Sequence, residues 1–447
     1  MDGEEVHVQI VTYAMQGHIN PMLRLAKRLV AKGLHVVLAT TENGQTMPAK
    51  SPTFNLEFFS DGLSDEFDRD KYLDSFFESP QTVGSKNLSN LITDLKAKCN
   101  KISCIITNPF MPWVPGIAAE HDIPSIVLWI QACAVYSIYC HYFKHPYLFP
   151  SLENQDDVVE LPNMPMLLVR DLPSFILPSC RIGLRTLVQI SWCLKSSINK
   201  VKWILGNYFN ELEEDIAGSM ASLRPVIPIG PLVSPFLLGQ RETVVVSMDL
   251  RSHEDYCIEW LDKKPPSSVI HISFGSIIVM TQNQIDSIAT ALRKSDQPFV
   301  WVIKSPEKGS SKKSGALPSG FLEETKERGL VAMACFMTHC GWISTLETIV
   351  AKMLVIAYPE WTDQSIDAKL LVDVLKIGVR MRNGEDEALG VKEAERCIME
   401  MTDETTATHM KKRATALKEA AKKAVEDGGS SDQNINNFIN EIKGKSL

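Results

Sequence analysis

Residues 336–364, FMTHCGWISTLETIVAKMLVIAYPEWTDQ, hold a strand, a sharp loop, a helix start and a polar pair within one short βαβ-like unit. The apolar run ending at Thr338 reads as a buried strand, and it stops at His339-Cys340-Gly341-Trp342, where glycine permits a tight turn. From Ser344 to Lys352 the apolar residues resume with helical spacing, so a helix is expected to start near Ser344. The first N–H groups of a helix have no acceptor inside it, and with the helix dipole they favour an anion such as phosphate. His339 and Ser344 flank that position. Glu347 lies one turn on, on the same face as Ser344, and offers a carboxylate to sugar hydroxyls beside the phosphate. A second strand, Leu354 to Tyr358, ends in a loop carrying Asp363 and Gln364, whose donors and acceptors suit a pyranose. The chemistry implied is recognition of a phosphorylated sugar.

Composition sets the outer bounds. A chain of 447 residues, 45% hydrophobic and 22% charged, is long enough for two ordinary globular domains. The net charge of -8 argues against a nucleic acid or an anionic membrane as partner, because both call for a basic face. The N-terminal MDGEEVHVQIV is acidic and runs straight into a strand, unlike a secretory signal, so a cytoplasmic location is expected. Ten cysteines without C-x-x-C spacing fit free thiols in a reducing compartment. Cys335, His339 and Cys340 lack a second ligand pair and no acidic metal-binding cluster is visible, so no metal is expected. The most apolar region, Ile123 to Phe143, is interrupted by Pro124, Gln131 and His141, which fits a strand and a core helix rather than a membrane span.

In chain order, Val6 to Tyr13 reads as a strand, and Asn20-Pro21 as the cap and first position of a helix that stops at Gly33. His35 to Thr40 is the next strand. This βαβ opening has no G-x-G-x-x-G turn, which argues against a nicotinamide or flavin cofactor. Gly17-His18 falls after the first strand, at the carboxyl edge where open α/β sheets bind ligands. Further strands are expected at Ile102 to Thr107, which ends at Asn108, and at Ser125 to Trp129, with a helix from Gln131. The prolines, glycines and lost periodicity after Ile227 mark a linker, with the domain boundary between Leu232 and Ser252. The second half opens with a strand from Ser268 to Phe274, and Gly275-Ser276 follow in a loop. Thr281 then caps a helix and Gln284 completes a capping box.

HCGW, then S-x-x-E, then DQ resembles the donor-binding box of the plant UDP-glycosyltransferases of glycosyltransferase family 1, and GHINP and the F-G-S turn extend the likeness over most of the chain. The resemblance implies an α/β fold of two facing Rossmann-like domains, the GT-B type. An acceptor-binding domain is expected at residues 1–240 and a UDP-sugar-binding domain at 241–447. It implies His18 as general base oriented by the residue at Asn108, and Ser276, His339 and Ser344 on the diphosphate. Glu347 would contact the ribose, and Trp342, Asp363 and Gln364 the transferred glucose. UDP-glucose enters as co-substrate, with no other cofactor. NPFMPWV and WIQACAVYSIYCHY resemble the members that form glucose esters of hydroxycinnamate, limonoid and indole-acetate type acids.

Three departures stand against that likeness. Ile343 occupies a position usually held by Asn, and Asn108 one commonly held by Asp. Upstream, relatives carry a W-x-P-Q segment whose Trp stacks on uracil, then a helix, whereas here Gly329 to Thr338 holds residues for a single strand. The second domain is therefore expected to lack one strand and one helix. The alternative reading is a non-catalytic or severely impaired homologue that has lost its uracil-binding segment.

Overall fold

A computed structural model describes residues 5–42, 54–64, 67, 75, 78–99, 101–180, 201–220, 225–239, 260, 263–265, 268–275, 280–302, 315–325, 328, 335–384 and 389–444. The chain forms two compact units, Met1–Leu250 with Ala420–Leu447, and Arg251–Glu419.

The first unit is built on an all-parallel, seven-stranded sheet among the described residues. Its strands are β1 (His7–Thr12), β2 (His35–Thr41), β3 (Asn55–Phe59), β4 (Cys104–Thr107), β5 (Ser125–Trp129), β6 (Val201–Gly206) and β7 (Ile227–Pro228), in the order β3-β2-β1-β4-β5-β6-β7. The central strands β1, β4 and β5 are buried over most of their length because both faces are covered, with Gln9 a buried polar residue within β1. Val8 and Ile10 pack with Met22, Leu25 and Leu29 of α1 (Gln16–Ala31), whereas Val11 and Tyr13 join a separate core with Leu88 and Ile92 of α2 (Ser85–Cys99). Helix α1 stops as expected: Gly33 takes φ 81°, and the Leu34 N–H turns back to the Leu29 carbonyl at 3.1 Å.

Helices α3 (Val114–Glu120) and α4 (Cys133–Lys144) follow β4 and β5, and α5 (Asn210–Ser219) follows β6. The start of α4 is held by Glu213 of α5, whose two carboxylate oxygens accept the Cys133 and Ala134 N–H groups at 2.8 Å each. Those donors have no acceptor within their own helix. Glu213 is 4% exposed, and burial raises its pKa from 4.5 to about 7 against the opposing pull of the two N–H groups. Ionising it therefore costs the folded state. The stabilisation from the neutral carboxyl is complete below the unfolded value of 4.5 and is lost as pH rises to about 7. The loss amounts to about 3 kcal/mol. Thermal melts should show stability falling from about pH 5 to about pH 7.5, and Glu213→Gln should flatten that slope. An unchanged slope in the Gln variant would place the pH dependence elsewhere.

The second unit carries an all-parallel, five-stranded sheet among the described residues. In chain order it contains β8 (Ile270–Ser273), α6 (Gln282–Ser295), β9 (Phe299–Val302), α7 (Phe321–Thr325), β10 (Cys335–Thr338), α8 (Trp342–Ala351), β11 (Leu354–Ala357), α9 (Gln364–Lys369), β12 (Gly378–Arg380) and α10 (Val391–Thr402). The strand order is β9-β8-β10-β11-β12. The Phe299 N–H donates to the Arg328 carbonyl at 2.9 Å, which puts Arg328 beside β9, while Cys335 already pairs with Ile270 of β8. Residues 329–334 alone link these two places, far fewer than the roughly dozen a parallel crossover takes. The strand and helix expected to be lost would fall at residues 329–334, which lie outside the described residues.

The C-terminal end departs from the expected division at 241–447. After α11 (Glu404–Val425), helix α12 (Ser430–Ile442) places Ile435, Phe438 and Ile439 in the core of the first unit. Lys32 pairs with Asp432 at 2.5 Å, and the Ser431 hydroxyl donates to the Gly230 carbonyl at 2.6 Å. The apolar face of α12 finds its burial there, so Ala420–Leu447 belongs with the first unit. Among the described residues no helix is long and apolar enough to cross a membrane.

Each sheet reverses its strand order once, between β1 and β4 in the first unit and between β8 and β10 in the second. The carboxyl ends of strands at such a switch point are where open α/β sheets bind ligands.

Candidate active site

At the first switch point, the loop after β1 leads to His18 and the end of β4 leads to Asn108. His18 is not in a loop, as the Asn20-Pro21 cap reading placed it, but in the first turn of α1. The helix begins at Gln16 because the His18 and Ile19 N–H groups both reach the Met15 carbonyl, at 2.9 and 2.8 Å, and Ile19 is buried. Pro21 is carried inside the helix. Proline lacks an N–H, so the helix gives up one hydrogen bond there, and tertiary packing outweighs that cost.

The His18 imidazole is half-buried, with the Phe110 ring at 4.7 Å and the Tyr13 ring at 6.0 Å between centroids. Its Nδ1 is buried with no hydrogen-bond partner among the described residues. Burial pushes the His18 pKa down to about 4, and Asn108 opposes that shift more weakly. The side chain of Asn108 is itself committed: its amide donates to Thr12 Oγ1 at 3.0 Å and its carbonyl accepts the Phe110 N–H at 2.9 Å. Asn108 thus fixes the floor beside His18 without supplying negative charge. Thr12, which the sequence did not single out, is the group that orients it.

At the second switch point, β8 ends at Ser273 and leads to Gly275, and β10 ends at Thr338 and leads to His339. Two glycines cradle the His339 ring. A Cβ on Gly275, which has φ 70°, would sit 2.6 Å from His339 Cε1, and one on Gly341 would sit 2.6 Å from Nε2. Cys340 takes φ 63°, and its N–H reaches Thr338 Oγ1 at 3.2 Å, which makes the turn between strand and helix. Burial lowers the His339 pKa to about 4, so at neutral pH the ring acts as a hydrogen-bonding group and not as a cation. Ser276 lies outside the described residues.

Helix α8 starts at Trp342, two residues before the expected point, with Gly341 as an N-cap that has no side-chain hydrogen bond. The Thr345 N–H is the first to meet an intrahelical carbonyl, that of Gly341, at 2.9 Å. The turn before it carries Ser344, and Glu347 follows one turn later, both half-buried. The Trp342 side chain is 4% exposed, so its indole belongs to the core. Ile343 brings no polar side-chain group to this turn. Asp363 and Gln364 stand at the start of α9, both buried. The Gln364 side-chain carbonyl accepts the Glu360 and Trp361 N–H groups at 2.9 and 3.1 Å, so its acceptor end is committed to the loop.

Residues 254–402 match the model of the UDP-glucoronosyl and UDP-glucosyl transferase family. UDP-glycosyltransferase 84B2 of Arabidopsis thaliana is 46% identical over 97% of this chain and 99% of its own. The chain belongs to this family. It is a UDP-glycosyltransferase with the two-Rossmann GT-B architecture. The cinnamate beta-D-glucosyltransferase of Fragaria ananassa is 38% identical over 98% of this UDP-glycosyltransferase and 83% of that protein. The crystal structure of Os79 from O. sativa in complex with UDP superposes with a TM-score of 0.86 at 27% identity, over 97% of this chain and 100% of the other. Similarity of that extent to enzymes does not favour the non-catalytic alternative.

Proposed function

We propose that the enzyme transfers glucose from UDP-glucose to the carboxylate of a small phenylpropanoid-type acid, giving a glucose ester with inversion at the anomeric carbon. The α8 N-terminus, Ser276, His339 and Ser344 hold the diphosphate and stabilise its developing charge. Glu347 takes the ribose, and Asp363, Gln364 and the Trp342 backbone take the glucose. His18 faces the acceptor with Asn108 behind it. UDP-glucose is the one co-substrate, no metal is called for, and a cytoplasmic location with no nucleic-acid partner completes the reading.

The environment of His18 carries this choice of acceptor. With pKa held near 4 and no carboxylate beside it among the described residues, His18 is a weak base. A carboxylic acid of pKa about 4 is already ionised at neutral pH and needs little from it, whereas a phenol of pKa about 10 must give up a proton. The name of the Fragaria relative supports the same class. Supplied with UDP-glucose and equal amounts of cinnamate and a phenol of the same size, the enzyme should glucosylate the cinnamate. The product should be cleaved by mild alkali. Exclusive formation of an alkali-stable phenolic glucoside would overturn the assignment.

A further inference from the structure

The loop bearing Asp363 and Gln364 is tied to the helix that follows β8. At the start of α6, the Gln284 carbonyl accepts the Thr281 N–H at 2.8 Å and the Gln284 N–H reaches Thr281 Oγ1 at 3.4 Å, a complete capping box. A capping box uses only the acceptor end of its third residue, and glutamate serves there as well as glutamine. Gln284 also uses its donor end. Its Nε2 donates to Glu360 Oε1 at 2.6 Å and to the Tyr358 hydroxyl at 3.1 Å, and that hydroxyl donates onward to Asn383 Oδ1 at 2.7 Å. Glu360 in turn presents its backbone N–H to the Gln364 carbonyl at 2.9 Å. One amide therefore connects the helix cap, the end of β11 and the loop, and the cap alone gives no reason for an amide at this position.

We infer that Gln284 is a positioning residue for glucose recognition, holding the 359–364 loop so that Asp363 and the Gln364 amide face the sugar. The inference rests on the proposed role of those two residues as sugar contacts. Gln284 touches no substrate and acts through Glu360 and Tyr358.

Gln284→Glu separates the two functions of the residue, since it keeps the capping acceptor, removes both donors and sets like charge against Glu360. It should raise KM for UDP-glucose about tenfold, the scale of losing a charge-assisted hydrogen bond. The inhibition constant of UDP should stay near that of the parent enzyme. Combining it with Glu360→Gln exchanges donor and acceptor and should restore KM. Thr281→Ala, which weakens the cap alone, should lower the melting temperature without separating UDP-glucose from UDP. Equal shifts for UDP-glucose and UDP in Gln284→Glu, or no recovery in the double variant, would overturn the inference. Gln364→Ala tells its failure from that of the underlying reading. If that variant leaves KM for UDP-glucose unchanged, the sugar-contact assignment falls and the inference with it. If it raises KM while Gln284→Glu does not, the inference alone is wrong.

Discussion

Replacing His18 by alanine is expected to cut transfer to a phenol by about 10²- to 10⁴-fold, the usual contribution of a positioned base, and transfer to cinnamate by less than about tenfold. The argument is one of proton free energy. Moving a proton from a phenol of pKa about 10 to an imidazole near pKa 4 is uphill by about 8 kcal/mol, so phenol transfer with this His18 is already slow and loses its base entirely in the alanine variant. A cinnamate carboxylate has no proton to lose, and its remaining dependence on His18 is one of packing. The pH profile should divide in the same way, flat for cinnamate above about pH 5 and rising with pH for the phenol. Asn108→Asp should act in the opposite sense. Thr12 Oγ1 now accepts from the Asn108 amide and can instead donate to an aspartate, while the Phe110 N–H keeps its acceptor. The added charge should raise the His18 pKa by about 1 to 3 units and speed phenol transfer. Equal losses with both acceptors in His18→Ala would remove the base from the mechanism and leave His18 as a wall of the acceptor site.

What the sequence makes legible follows from how each element is buried. β4, β5 and β11 are buried along nearly their whole length, and these three, with β8 and β10, read as apolar runs within two residues of their observed bounds. β3 lies at the sheet edge with most of its residues half-exposed, and β12 is the three-residue Gly378–Arg380, so neither presents a pattern long or apolar enough to find. The starts of α1 and α8 are displaced from expectation for one shared reason. Met15 and Gly341 cap without a side-chain hydrogen bond, so no Ser, Thr, Asp or Asn marks the place, whereas α6, capped by Thr281, begins where it was read. In the site, residue types around a helix start point to His339, Ser344 and Glu347, whereas His18 needs its place after β1 together with the resemblance, and Asn108 the resemblance alone. The closing of Gly275 and Gly341 on the His339 ring was not accessible, because it joins the ends of two strands far apart in sequence. Gln284 was read as a capping residue because local spacing shows only its acceptor end. Its donor end meets residues that only the sheet brings near.

Repair of the shortened donor region should have an effect of comparable size. By resemblance, the segment absent between Val331 and Cys335 supplies a Trp that stacks on uracil, a contact of about 1 to 3 kcal/mol. Ile343 replaces a side chain that would donate to the diphosphate, at about 1 to 3 kcal/mol if the oxygen is buried. Together these should weaken UDP-glucose binding by roughly tens to tens of thousands of fold. The parent chain should therefore bind UDP-glucose, measured by calorimetry, much more weakly than relatives do, with acceptor binding spared. Inserting a relative's W-x-P-Q strand and helix between Val331 and Cys335, together with Ile343→Asn, should restore donor affinity and turnover. The sheet can receive the insert: Arg328 already lies beside β9, the outer strand of the described five, so a strand entering after it would run along that edge. Ile343→Asn alone should recover only the diphosphate share. Full recovery from that single change would mean that residues 329–334 suffice for the base and that the shortening is neutral. A folded, fully repaired protein that still fails to bind UDP-glucose would remove the α8 N-terminus and the His339 turn as the donor site.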